Sequence, residues 1–379
     1  MLNGTHPLRV VVVGGSLGGL FHAIALRSFG CEVKVYDKSA GLMHDRGAGI
    51  VLQGEVVEFF ERYKIGTVEE IGVPVQTRRY LAPDGSSLQE APMPQAMTSW
   101  DALYRKLLTA FPDEHYHTGV QLLDFEASGD EVTARFEGDR EEVCDLLIGA
   151  DGPGSTVRKR LLPGVRSEYA GYVAWRGVVA EDNAPDLAAE FADRFTFFQA
   201  EHTHILCYLI PGPDGSSRAG QRRLNWVWYL NAAPGEELER VLTDKEGQRR
   251  EYSVPQGFVA PEMIRWLNGQ ARTILPPPFR RLVGATIEPF VQTIHDLAVP
   301  HMAFGRVCLT GDAAFVPRPH TAASTAKAAA NALALANSLE GSEADVELAL
   351  RRWEPDQIEL GRRLRVYGQR LGDRSQFGR

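Results

Sequence analysis

A short apolar run, Leu8-Arg9-Val10-Val11-Val12-Val13, breaks into Gly14-Gly15-Ser16-Leu17-Gly18-Gly19, and no other stretch narrows the choice of folds so far. An apolar run of this length bounded by glycines predicts a buried strand and a tight turn. Leu20, Ala23, Ile24 and Leu26 then recur at helical spacing until Gly30, and Glu32-Val33-Lys34-Val35-Tyr36-Asp37 predicts a second strand. The unit is βαβ, with parallel strands, a right-handed crossover and the helix lying on the sheet. The helix start offers free N–H groups and the positive end of its dipole, which together suit a dinucleotide pyrophosphate. Asp37 closes the second strand at the spacing where a carboxylate meets ribose hydroxyls. Ser16 stands where the middle glycine of such loops is usual, and a loop needed only for tight packing is the plainer alternative.

Further along, Val51 to Tyr63 has a helical pattern, and Arg78 to Gly85 reads as a strand entering a Pro83-Asp84-Gly85 turn, hence a hairpin. Ser99 to Leu108 is helical again. Gln121 to Glu126 and Glu131 to Phe136 alternate as a β-ribbon, and Leu146 to Ala150 reads as a buried strand. From about Tyr169 to Phe290, aromatic residues in alternating segments predict a second, antiparallel sheet. Arg306 to Asp312 returns to a buried strand, and two helices follow, roughly Ala322 to Leu339 and Glu343 to Leu371. The expected fold is therefore α/β, with an α+β substrate region: a Rossmann-like dinucleotide-binding domain, a mixed antiparallel substrate sheet and C-terminal helices. Its parts are 1–168, with a substrate-side insertion near 72–98, then 169–290, then 291–379.

At 379 residues the chain exceeds the roughly 250 to 300 at which single cores stop growing, so two lobes are expected. Its net charge of −8 is spread out, with no basic stripe, which argues against nucleic acid as a partner. Cys31, Cys144, Cys207 and Cys308 lack the spacing of a metal or redox site and read as reduced, buried thiols, with no metal expected. Neither a signal-peptide core nor a run near the roughly 18 apolar residues that span a bilayer is present, so no membrane association and a cytoplasmic location are expected.

Two later segments point to the ligand of the glycine loop: Cys144 to Arg158, containing Asp151-Gly152, and Gly311-Asp312-Ala313-Ala314. In this order the three resemble the flavoprotein aromatic hydroxylases of the p-hydroxybenzoate hydroxylase type, over nearly the whole chain. The resemblance implies FAD as cofactor, NADH or NADPH as transient reductant, and transfer of oxygen from O2 through a flavin C4a-hydroperoxide to an electron-rich hydroxylated ring. It implies that Gly14, Gly15, Ser16, Leu17 and Gly19 hold the pyrophosphate, with Asp37 and Lys38 at the ribose end. Asp151 would lie near the pyrophosphate with Arg158 fixing its loop. Gly311 and Asp312 would meet the ribityl chain, and Thr321, Ala322, Ala323 and Ser324 the flavin ring. Trp100 stands in place of a family arginine, Thr321 and Ser324 in place of glycines, and Asn331 in place of an aspartate. Three stretches, Tyr172 to Val178, His204 to Gly212 and Pro317 to Ala323, resemble the 2,6-dihydroxypyridine 3-hydroxylase subfamily, implying a hydroxypyridine or a related small aromatic substrate.

On the expected substrate sheet, His204, Leu206 and Tyr208 share a face by period two. His204 is the candidate base, because an imidazole titrates near neutrality. A hydrogen-bonded structural histidine is the plain alternative. Tyr208 and Tyr229 are candidates to bond a substrate hydroxyl or ring nitrogen, against core packing. Trp175 and Arg176 point to opposite faces, so at most one faces the ligand. Pro319 and His320 follow the Gly-Asp motif, beside the reactive edge that the resemblance implies. Trp226-Val227-Trp228 has the tryptophan spacing of a flavin halogenase motif without its Ile-Pro. A flavin-binding reductase, or a catalytically silent flavin sensor, remains the alternative, and a homodimer is the assembly left open.

Overall fold

The computed structural model describes residues 7–41, 49–342 and 345–379. Arg9–Val13, Glu32–Asp37 and the helix Leu17–Ser28 form the βαβ unit read from the pattern. The unit sits in a six-stranded sheet. Arg9–Val13 lies between Glu32–Asp37 and Leu146–Gly149, both parallel to it, and Val307–Leu309 extends the parallel set. Val12, Val33, Val35 and Leu146 are wholly buried because both faces of this sheet are covered.

The helix Leu17–Ser28 is not amphipathic: Leu20, Phe21, Ala23, Ala25 and Leu26 are all buried. It is sandwiched between the sheet and the C-terminal helix Ser324–Glu340. That partner is built of alanine on its inner side, Ala328, Ala329 and Ala332 among them, and small side chains let two helices approach closely. Val13, Asp37, Gly149 and Leu309 end their strands at one edge of the sheet, the edge at which ligands bind in open α/β folds.

The second sheet has ten strands, and it draws on both parts of the chain. Glu168–Ala180, Arg194–Ala200, Thr203–Ile210, Arg223–Asn231 and Phe290–Ala298 are joined by the hairpin Val73–Leu81 with Ser87–Ser99 and by Gly49–Val51. Val73–Leu81 pairs in parallel with Arg194–Ala200, so the sheet is mixed. Phe290–Ala298 carries it past residue 290, where the sequence pattern suggested an end. One face packs Trp175, Trp226, Trp228 and Ile205 against the helices Pro261–Ile274 and Pro277–Ala285 in a second core.

Three expectations need correction. Val51 belongs to a strand, and the helix expected from it starts at Gly54, since Gly49–Val51 pairs with Ser87–Ser99 across the chain. The ribbon has a third strand, Arg140–Cys144. The stretch 169–290 also holds four helices, three of them opened by proline, which the aromatic alternation hid. The last helix runs Val346–Phe377, and Glu343, from which it was expected, lies outside the described residues.

Candidate active site

Gly14 has φ +104°, and a Cβ there would lie 2.3 Å from the Ala150 carbonyl oxygen. A Cβ on Gly19 would stand 1.8 Å from the Gly14 carbonyl oxygen, and one on Gly15 would meet the Tyr116 hydroxyl at 2.3 Å. The glycines therefore set how closely helix and strand approach. Gly14, Ser16, Leu17 and Gly18 face the cavity, whereas Gly15 and Gly19 are packed against Tyr116 and the Gly14 carbonyl. Ser16 caps the helix without using its side chain, and no acidic residue occupies the first turn. The first N–H groups of a 12-residue helix thus open onto the cavity, a site suited to an anion.

Asp37 lines the same cavity with the exposed Lys38. Asp37 Oδ2 accepts from Gly15 N at 2.7 Å and Oδ1 from Ser39 N at 2.7 Å, so the loop and the strand end hold the carboxylate in place. Asp151 Oδ2 accepts from Thr156 N at 2.6 Å and Val157 N at 3.2 Å, while its buried Oδ1 has no partner among the described residues. Burial pushes its pKa up. Arg158 does not reach the cavity wall. It donates to the Ala313 carbonyl at 2.9 Å and to the Pro153 carbonyl, tying the Asp-Gly loop to the Gly-Asp loop.

Gly311 N donates to Asn331 Oδ1 at 3.1 Å, and Asn331 Nδ2 donates to Gln357 Oε1 at 2.8 Å. Asn331 is therefore a brace for the Gly-Asp turn. Asp312 Oδ1 accepts from Ser324 Oγ at 2.6 Å and from Lys327 Nζ at 2.8 Å, and Oδ2 has no partner among the described residues. The hydroxyl of Ser324, at a usual glycine position, is engaged by Asp312. Ala322 adopts φ +53° after the turn Pro319–Thr321, and Gln53 Nε2 donates to its carbonyl at 2.8 Å. His22 links the first and last motifs, with Nδ1 2.8 Å from the Gly18 carbonyl and Nε2 3.1 Å from Thr310 Oγ1. The carbonyl can only accept, so Nδ1 carries the proton, and the Thr310 hydroxyl beside Nε2 donates to Asn331 Oδ1 at 3.2 Å.

The free face of the ten-stranded sheet is the floor of this cavity. Ala174, Tyr229, His204 and Gln199 face one another across four strands, and Arg176, Val227, Leu206 and Phe197 form the next row. His204 Nε2 lies 3.4 Å from Gln199 Nε2, and its Nδ1 is buried without a partner. Burial, aided by Arg78, holds its pKa down at about 4. His320 stacks on Tyr229 with centroids 4.1 Å apart, and its Nδ1 lies 3.4 Å from the Tyr172 hydroxyl. Its Nε2 is a buried orphan, and burial pulls its pKa well down, with His204 and Arg318 adding to the effect. Both imidazoles are neutral near pH 7. Burial also pushes the phenols of Tyr208 and Tyr229 up, Tyr229 to about 12.

Trp175 is the expected substrate residue that the structure removes. It lies on the far face, fully buried and 6.3 Å from Trp266, because successive residues of a strand alternate sides and Arg176 takes the cavity side. Pro319, His320, Thr321, Ala322, Ala323 and Ser324 all line the cavity, as do Tyr208 and Tyr229. Trp100 lines it too, stacked on Tyr104 at 4.7 Å. Arg78, Tyr80, Gln95, Gln199 and Lys327 were not anticipated. Arg78 and Tyr80 share a face by period two, a signal present in the hairpin strand, but which sheet that strand joins is not written locally. No group of three or more metal-ligating side chains occurs among the described residues. No helix there is long and apolar enough to cross a membrane.

The cavity measures about 1320 Å³ and runs unbroken from the glycine loop to the aromatic floor. Sites for one drug-sized ligand hold roughly 300 to 1,000 Å³, so this one has room for a dinucleotide and a small ring. An open helix start, a held carboxylate at each end and an orphan oxygen on Asp151 fit FAD.

A family described as FAD binding domain-like matches residues 169–296, the stretch that supplies the floor. The chain is 36% identical over 372 residues to a 2,6-dihydroxypyridine 3-monooxygenase of Paenarthrobacter nicotinovorans, covering 98% of this chain and 92% of that protein. It is 26% identical over 367 residues to a 6-hydroxynicotinate 3-monooxygenase of Pseudomonas fluorescens, covering 93% and 88%. The solved structure of 2,6-dihydroxypyridine-3-hydroxylase from Arthrobacter nicotinovorans is similar at a TM-score of 0.92 and 36% identity, covering 99% of this chain and 94% of that one.

Proposed function

The chain belongs to the FAD-dependent aromatic hydroxylases, and from that premise we propose that it hydroxylates an electron-rich, hydroxylated N-heteroaromatic ring, a hydroxypyridine, using O2 and NADH or NADPH. The observation that carries this reading is the single cavity that joins a dinucleotide loop to a floor of two neutral histidines and two buried tyrosines. FAD, when bound, supplies the activation of O2 and its transfer to a ring carbon, which the side chains present cannot do.

The chain's own part is to hold, orient and exclude water. The first N–H groups of Leu17–Ser28 would hold the pyrophosphate, Asp37 the adenosine ribose, Asp312 Oδ2 the ribityl hydroxyls, and the main chain of Thr321 to Ser324 the flavin ring. Tyr229 and Pro319 contact the substrate. His204 and His320 line the site, each with one buried, unpartnered ring nitrogen, and a neutral imidazole has a lone pair that can accept a hydroxyl proton. All four cysteines are free and buried, in keeping with action in a reducing cytoplasm.

The test is a panel of hydroxypyridines and hydroxybenzoates, each scored for stimulated NAD(P)H oxidation, oxygen uptake and a product one oxygen heavier. Stimulation and oxygen insertion with a hydroxypyridine support the reading. NAD(P)H oxidation with no oxygenated product from any ring overturns it.

A further inference from the structure

Arg318 stands immediately before the turn Pro319–Thr321 that carries His320, and its side chain is 6% exposed. A cation so buried is ordinarily paired, and this one is paired twice. The Asp296 carboxylate accepts from its Nε at 3.1 Å and its Nη2 at 2.7 Å, and Asp373 Oδ1 accepts from Nη1 at 2.7 Å. Gln369 Nε2 also donates to Asp296, at 3.1 Å. Asp296 belongs to the ten-stranded sheet, and Asp373 and Gln369 to the last helix, so one guanidinium ties the His320 turn to both. The helix comes this close because it presents glycine. A Cβ on Gly368 would lie 3.0 Å from Arg318 N, and one on Gly372 would lie 2.4 Å from the Tyr172 hydroxyl and 2.9 Å from Arg318 Nη1.

Arg318 and Tyr172 therefore meet over Gly372, with the guanidinium carbon 5.6 Å from the ring centroid. Tyr172 is wholly buried and no part of the cavity wall, and its hydroxyl has one hydrogen-bond partner among the described residues, His320 Nδ1 at 3.4 Å. A neutral imidazole either donates from that nitrogen to the phenol oxygen or accepts there from its O–H. Were Nδ1 to donate, the hydroxyl proton would be buried without an acceptor and beside a permanent cation, which is unfavourable on both counts. With Nδ1 accepting, the phenol oxygen is left to the guanidinium and its proton to the nitrogen, and all three groups are satisfied. His320 is neutral near pH 7, since burial draws its pKa well down, so it holds one ring proton. That proton is then on Nε2, which is buried and has no partner among the described residues. Because His320 lines the cavity, the acceptor this N–H lacks is one that a bound ring can bring.

We propose that Arg318 is a positioning residue of the hydroxylase site: through the Tyr172 hydroxyl it fixes the tautomer of His320, which donates from Nε2 to an oxygen of the bound ring and is not its base. The proposal rests on the hydroxylase reading for the identity of the ring, whereas the tautomer is measured without turnover. It leaves His204 as the imidazole of the pair that can take a hydroxyl proton. It also gives the last helix a part in the chemistry, through Asp373 on Arg318.

The test uses the FAD-loaded enzyme with its histidines labelled with nitrogen-15. Two-bond proton–nitrogen correlations tell a protonated ring nitrogen from a bare one, and the His320→Gln spectrum identifies the His320 signals. In the wild type, Nε2 is expected protonated and Nδ1 bare and hydrogen-bonded. In Tyr172→Phe and Arg318→Met the Nδ1 signal should move downfield, toward that of a free imidazole nitrogen, while Arg318→Lys, which keeps the charge, stays close to the wild type. The dissociation constant of 2,6-dihydroxypyridine, read from flavin absorbance, should rise about fivefold in the first two variants and little in the third. A wild-type His320 protonated on Nδ1 overturns the proposal, as does an Nδ1 signal or a ring affinity that neither Tyr172→Phe nor Arg318→Met changes. The wild-type spectrum decides even where a variant fails to fold. If His320 carries its proton on Nε2 but no ring is hydroxylated, the hydroxylase reading falls and the tautomer assignment stands.

Discussion

Lys327 Nζ lies 2.8 Å from Asp312 Oδ1 beneath the cavity wall, with the lysine side chain 1% exposed and the aspartate 40%. The ammonium also donates to the Phe315 carbonyl, so the chain that carries the Gly-Asp turn and the helix that follows it are pinned at one atom. Burial lowers the lysine pKa, and Asp312 works against that. The result is a carboxylate held in one orientation, with one oxygen free for a ligand hydroxyl.

Lys327→Met should separate cofactor binding from folding. The unpinned carboxylate is expected to raise the FAD dissociation constant about tenfold, worth about 1.4 kcal/mol. The thermal midpoint of the apoprotein should change little, because the carboxylate left behind on Asp312 is 40% exposed and is solvated by water once the ammonium is gone. Flavin fluorescence titration and a melting curve decide it; unchanged affinity with a collapsed midpoint would show that the lysine serves the fold alone.

His22 gives the protein an acid-sensitive clasp. Burial holds its pKa near 4 against 6.5 in the open chain, so between those values the unfolded chain binds a proton that the folded one refuses. Stability should be intact above about pH 6.5 and fall as pH drops toward 4, by on the order of 3 kcal/mol when the loss is complete. Urea unfolding of wild type and His22→Gln at pH 7 and pH 4.5 isolates this share. The variant should lose less on acidification, and an equal loss would exclude the clasp.

Gly19→Ala is expected to force the helix Leu17–Ser28 off its strand, since the new Cβ would meet the Gly14 carbonyl at 1.8 Å. Overpacking of this kind costs roughly 1 to 3 kcal/mol, and the displaced helix start should also lose FAD. Gly18→Ala, whose nearest neighbour is Ala328 Cβ at 3.8 Å, should keep the thermal midpoint of the wild type. Similar midpoints for the two variants would contradict the packing role.

Ala322 sits at φ +53°, a conformation that costs an ordinary residue roughly 1 to 2 kcal/mol. Ala322→Gly relieves this but loses about 0.4 to 1 kcal/mol through the freer unfolded chain, so its midpoint should match or slightly exceed that of the wild type. Ala322→Val adds β-branching and should destabilise by about 1 kcal/mol or more. If valine is tolerated as well as glycine, the turn is not constrained as described.

Legibility followed the range of the interactions. The βαβ unit could be read almost to its boundaries, because apolar periodicity and glycine stops are local. Asp312 and His320 could be found from a motif in order along the chain. Errors of element type arose instead where pairing is remote, as at Val51, whose strand partner is Met97. Trp175 and Arg176 were known to face opposite ways, but alternation alone does not tell which face meets the ligand. Arg78 was missed because its strand joins the floor through a parallel pairing with Arg194–Ala200, more than a hundred residues away.

The sequence by itself determined the dinucleotide loop, the family and the order of the three FAD motifs, since each depends on neighbours along the chain and on steric rules that hold at a single turn. Only the tertiary structure decided that Gly15 and Gly19 pack while Gly14, Ser16 and Leu17 line the cavity, that Lys327 stands under Asp312, and that Arg78 and Arg176 share one floor with His204 and His320. Those relations come from sheet order and helix docking, which sum many weak contacts between distant segments, and no local pattern records that sum.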